Sequence, residues 1–113
     1  MSPEQFTKIL EARILDMRES LDAKAKEYAP GTDRLHNFKR ASGLKDEPTT
    51  QSLWGMLVKH IVSINDMVKS PEAYSVTLWA EKIRDYMNYG VLLEALVVEH
   101  LAAAESTNQR TNQ

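Results

Sequence analysis

Apolar residues recur along this chain at helical spacing, and proline, glycine and capping residues mark the breaks between the runs. Phe6, Ile9, Leu10, Ile14, Met17 and Leu21 share one face, which predicts a first helix over about residues 3–28. Ser2 and Pro3 read as its cap and first turn, and Gln5 completes a capping box. Ala29-Pro30-Gly31-Thr32 ends it. Asp33 is placed to cap a short second helix over roughly residues 34–42, with Gly43 to stop it. A polar loop follows, and Thr49 or Thr50 caps a third helix running to about residue 69, with Leu53, Leu57, Ile61, Ile64 and Val68 along its buried face. Ser70-Pro71-Glu72 restarts a helix, with an irregular turn near Ser75, and the last helix runs to about residue 105. Residues 106–113 form a polar, fraying tail.

The pattern predicts an all-α, four-helix bundle-like single domain over residues 1–105. With 113 residues and 42% hydrophobic composition, the chain supports one modest core. Late in the last helix, Val91, Leu92, Leu93, Leu96, Val97, Val98 and Leu101 cover more than one face. A helix apolar nearly all round is buried on several sides, so a homo-oligomer is expected with this segment at its interface. Gly55 and Gly90 interrupt helical patterns and predict close helix contact. Trp54 and Trp79 read as core or interface anchors.

Composition narrows the chemistry. The chain has no cysteine, which removes disulfides and thiolate metal sites. Its net charge of −2 gives no basic field to attract duplex nucleic acid. No segment reaches the ~20 apolar residues of a membrane helix, and the start lacks a signal segment, so a cytoplasmic protein is expected. His36, His60 and His100 match no zinc spacing.

Two polar stripes stand out. On the third helix Lys59, Ser63 and Asp66 fall on one line with His60 beside it; on the fourth, Glu81, Asp85 and Asn88 do so with Tyr89 adjacent. A short connection predicts antiparallel packing of the two helices, which would let the stripes face each other. Asp66, Glu81 and Asp85 could then hold magnesium through oxygen ligands. The same acidic spacing also occurs on solvated helix faces carrying weak ion pairs. A third feature is the basic segment of Lys24, Lys26, Arg34, His36, Lys39 and Arg40, which suits a phosphate or is an ordinary mixed-charge loop.

The run Lys26-Glu27-Tyr28 and Asp33-Arg34-Leu35-His36-Asn37-Phe38 resembles a pattern in small phage proteins. So do Lys59-His60 with Ser63 and Asp66, and Glu81-Lys82-Ile83-Arg84-Asp85 with Asn88-Tyr89. Those proteins are grouped as nucleotide-modification-associated or MazG-like helical domains, and the similarity spans about residues 24–98. The resemblance implies a phage or prophage origin, a bacterial host cytoplasm and work on nucleotides. Related all-α pyrophosphohydrolases hold magnesium with Glu-x-x-Glu and Glu-x-x-Asp motifs. This chain has only a loose counterpart, Glu81-x-x-x-Asp85, and the first helix carries Glu11 and Glu19 without a Glu-x-x-Glu.

The expectation is therefore a nucleotide-like small-molecule binder, with sequestration of a host nucleotide immune signal as one role for it and no cofactor favoured. Its candidate ligand residues are Arg34, Asn37 and Lys39 on the second helix, Lys59, His60 and Asp66 on the third, and Glu81, Asp85 and Tyr89 on the fourth. The cations would hold phosphate, and Asn37 and Tyr89 would meet base or ribose. The alternatives are a magnesium-dependent nucleotide pyrophosphohydrolase using Asp66, Glu81 and Asp85, and a helical protein-binding inhibitor.

Overall fold

The computed structural model describes residues 1–28 and 31–111, with four α-helices, one short 3-10 turn and no strand among them. Helix α1 spans Pro3–Tyr28, α2 His36–Lys45, α3 Thr49–Met67 and α4 Val76–Thr111, with the 3-10 turn at Pro71–Ala73. The all-α prediction therefore holds. No helix among the described residues is long and apolar enough to cross a membrane.

Local chemistry explains most of the ends. The Ser2 Oγ accepts from the Gln5 N–H at 3.1 Å and Gln5 Oε1 accepts from the Ser2 N–H at 2.8 Å, the reciprocal capping box expected of the sequence. Part of the expected break after α1, Ala29 and Pro30, lies outside the described residues. Asp33 does not cap α2. Its carboxylate instead accepts from the Leu35 N–H at 3.0 Å, closing a turn before the helix begins at His36. Nor does Gly43 stop α2: the helix runs on to Lys45, and Asp46 takes the left-handed conformation that ends it, with φ 54°.

The start of α3 also departs from expectation. Pro48 is its cap residue, without a side-chain bond, and Thr49 instead pairs its hydroxyl with Ser42 at 3.0 Å. The fully buried Ser52 hydroxyl donates to Glu47 at 2.7 Å, which sets a carboxylate near the positive end of the helix. Ser75 caps α4, its hydroxyl accepting from the Leu78 N–H at 3.1 Å. Trp79 secures the preceding turn by donating from Nε1 to the Pro71 carbonyl at 3.0 Å. The last helix continues six residues beyond the expected end at 105, to Thr111.

α4 is the central helix. It runs antiparallel to α3, as expected from their short connection; His60 lies on Tyr89, while Ile64 and Val68 lie beside Ile83 and Tyr86. It runs parallel to α1, with Arg13 donating to the Ala80 carbonyl at 2.8 Å and Asn88 to Ser20 at 2.7 Å. The core gathers at the α2 end, where Leu35, Phe38, Leu53, Leu92 and Leu96 meet, with Leu21, Met56, Tyr89 and Leu93 packed around them.

The molecule is elongated, 58 × 31 × 27 Å with a radius of gyration of 17.5 Å, whereas a compact chain of this length has one of about 13 Å. Several expected core positions are accordingly uncovered. Phe6, Ile9, Leu10 and Ile14 on α1 are exposed, and on α3 only Leu53 and Leu57 of the predicted face are fully buried, with Ile61 and Val68 exposed. Gly55 and Gly90 have nothing within 4 Å of where a Cβ would stand, so neither marks a close helix contact within the chain. Trp54 is half exposed.

Candidate functional site

The short α2 lies across one end of the α1–α4–α3 layer and leaves a cavity of about 160 Å³ beneath it. Leu21 and Lys24 of α1 form one wall, Arg34, Asn37 and Phe38 the roof, Met56 of α3 the opposite wall, and Asn88, Tyr89 and Leu92 of α4 the floor. An apolar enclosure with a few polar groups aimed into it is the usual chemistry of a small-molecule site.

Asn88 is the most informative of these residues. It is only 2% exposed, and its Nδ2 donates to Ser20 while its buried Oδ1 meets no protein donor. Buried polar atoms are nearly always paired, because leaving one unpaired costs about 1–3 kcal/mol. Asn88 thus lines the cavity floor with an amide whose acceptor no protein donor fills.

The aromatic residues are arranged around Tyr89. The His60 ring stacks on it with centroids 4.8 Å apart and 29° between planes, and Phe38 meets it edge-on at 6.5 Å. Burial pushes the His60 imidazole below its ordinary value of 6.5; Asp85 opposes that shift, and Lys82 and Lys24 add to it. His60 is therefore neutral at neutral pH. Burial, and then Asp85, push the Tyr89 phenol above its ordinary value of 10.0. Arg34 donates from Nη2 to the Leu21 carbonyl at 3.1 Å, which fixes the guanidinium, a group of five N–H donors, at the rim.

Five of the nine candidate ligand residues thus come together. Arg34, Asn37 and Tyr89 line the cavity, His60 stacks behind Tyr89, and Asp85, one turn before Tyr89 on α4, acts on both rings through its charge. The other four do not join them. Lys39 is held by Asp33 and Glu99, each at 2.7 Å, and tethers α2 to the far part of α4. Lys59 is exposed and outside the cavity. Asp66 is exposed beside Lys69 at 3.9 Å, and Glu81 is exposed beside Arg84 at 3.9 Å.

The two polar stripes therefore do not face each other. α4 is rotated so that Asn88 meets α1 rather than α3, and His60, not the Lys59–Asp66 line, is what α3 turns toward Tyr89. Asp66, Glu81 and Asp85, the trio that the hydrolase alternative would use, do not come together: among the described residues no three His, Asp or Glu side chains converge as metal ligands do. Asp85 is instead bound by Arg84 at 3.2 Å, and Arg84 reaches Asp16 of α1 at 3.8 Å.

Sequence reasoning left Lys24, Phe38 and Asn88 out of the candidate set. The available signal was Asn88 itself, a poor helix former amid apolar neighbours, and the place of Lys24 in the basic segment. A second depression of about 410 Å³ lies between Lys39, the start of α3 and His100. It is more open, and its lysine is already paired with two carboxylates, so its polar groups are less available to a ligand. Comparison with protein-family models, with curated proteins and with solved structures finds no match to this chain.

Proposed function

We propose that this chain binds a nucleotide or nucleotide-derived ligand in the cavity under α2. The observation that carries the reading is a cavity lined by the Asn37 and Asn88 side chains and the Phe38 and Tyr89 rings and rimmed by Lys24 and Arg34. The amides of Asn37 and Asn88 suit the hydrogen-bonding edge of a base or a ribose. Phe38 and Tyr89 provide apolar walls for a planar group. Lys24 and Arg34 suit phosphate, and a charge-assisted contact of this kind contributes about 1.5–3 kcal/mol. At about 160 Å³ the enclosure is smaller than the ~300–1,000 Å³ of drug-sized pockets, so one end of the ligand sits inside and the phosphates lie along the cationic rim.

The chain acts in this reading as a binder. The carboxylates a hydrolase would use for magnesium are engaged otherwise, Asp85 and Glu81 beside Arg84 and Asp66 beside Lys69. Sequestration of a host nucleotide signal, one role open to a phage nucleotide binder, needs binding alone.

A thermal-shift panel of mono-, di- and triphosphates and of cyclic mono- and dinucleotides, run in EDTA, tests the proposal. Ligand at 100 times its Kd stabilises the folded chain by about 2.7 kcal/mol, which raises Tm by about 10 °C or more in a domain of this size. Arg34→Ala and Lys24→Ala should each reduce that rise. A flat panel would overturn the reading and favour a protein partner.

A further inference from the structure

The apolar stripe of α1 is only half covered. Leu21 packs against the core. Phe6, Leu10 and Ile14 continue the same face at four-residue spacing, yet they are 59%, 48% and 50% exposed, and Ile9 beside them is 54% exposed. The cause lies in the helix lengths. Arg13 is level with Ala80, so counting back four residues on each parallel helix sets Val76, the first residue of α4, level with Ile9. The ten residues of α2 cover only about 15 Å, at the opposite end of the bundle where Leu21 and Leu92 meet. A fourth helix is thus present at one end of the bundle and missing at the other.

The exposed area is large enough for a second copy to cover. The accessible surface is 8393 Å², whereas a compact monomer of 12.9 kDa has about 6,300 Å². The surplus of about 2,100 Å² belongs to the whole elongated chain, and it exceeds the ~800 Å² that each partner gives to a standard interface. A net charge of −2 sets little repulsion between copies. We propose that the α1 stripes of two copies pack on each other about a two-fold axis near Leu10, each supplying the helix that the other's short α2 leaves out. A patch that meets itself in this way closes as a dimer.

Light scattering at high micromolar concentration should give the mass of two chains of 12.9 kDa. Leu10→Glu changes a side chain that is exposed in the single chain, but it buries two unpaired carboxylates in the dimer. It should weaken the dimer by about 100-fold or more while circular dichroism stays helical. Val98→Glu falls in the α4 segment that the sequence pattern places at an oligomer interface; because α1 forms this dimer instead, that change should leave the mass unchanged. Because the chain has no cysteine, Leu10→Cys gives a single thiol that should oxidise to a covalent dimer, and this reading stands even where Leu10→Glu fails to fold. The proposal is overturned by a single-chain mass for the unaltered protein, which would mean that a different protein covers the stripe. It is also overturned by a two-chain mass for folded Leu10→Glu, by dissociation on Val98→Glu alone, or by a Leu10→Cys chain that does not cross-link.

Discussion

Asn88→Leu should make the protein more stable and less able to bind its ligand. In the ligand-free chain the buried Asn88 Oδ1 has no protein partner, at a cost of about 1–3 kcal/mol. Replacement by leucine removes that cost and sets an apolar group of similar size beside Leu92 and Phe38. It also removes the 2.7 Å bond to Ser20, worth about 0.5–1.5 kcal/mol. Ser20 still donates to the Met17 carbonyl at 3.1 Å and is only half-buried, so little further penalty follows. Taking mid-range values, about 2 kcal/mol is relieved and about 1 is lost, a net gain of about 1 kcal/mol. In a domain of this size that raises Tm by about 4–8 °C. Urea or thermal unfolding measures the gain, and calorimetry with the best nucleotide of the panel measures the loss of affinity. Destabilisation by more than about 1 kcal/mol would refute the reasoning, since the amide would then be holding the fold together rather than waiting for a ligand.

Two further outcomes follow from the same geometry. His60 is held below 6.5 by burial, so in weak acid the unfolded chain takes up the proton first. The stability due to neutral His60 is full above 6.5 and is lost as the pH falls from there through the lowered folded value. His60→Gln should flatten this slope as the pH falls below 6.5, and an unchanged slope in the variant would remove His60 from the account. Glu81 is exposed beside Arg84, so Glu81→Gln should leave nucleotide affinity unaltered, and nucleotide recovered after long incubation with magnesium should be intact. Magnesium-dependent release of monophosphate and pyrophosphate, lost in Glu81→Gln, would show a hydrolase instead.

The fold was legible where the signal was local. The capping box at Ser2 and Gln5, the break at Pro71 and the four helical runs depend on residues near one another in sequence, and each appears in the structure. Helix ends governed by small differences were less so. Asp46 in a left-handed conformation stops α2 three residues past Gly43, where the Asp46 and Glu47 N–H groups close onto the Gly43 and Ser42 carbonyls at 3.4 and 3.1 Å. The site was legible in composition but not in facing. Spacing put Lys59, Ser63 and Asp66 on one line, but which line meets α4 depends on helix rotation, and that is set by Leu53, Leu57 and Tyr89 packing in three dimensions. The exposed stripe of α1 shows the same limit: its period predicted a buried face, and the period carries no information about which chain buries it.

The central claim, that a nucleotide enters the cavity under α2, is tested most directly by amide NMR of the labelled protein during titration with the best nucleotide of the panel in EDTA. The account predicts that the side-chain amide signals of Asn37 and Asn88 and the backbone signals around Arg34 and Tyr89 move together and saturate. Shifts gathered instead around Lys39, Thr50 and His100, or signals that do not move for any nucleotide, would contradict it.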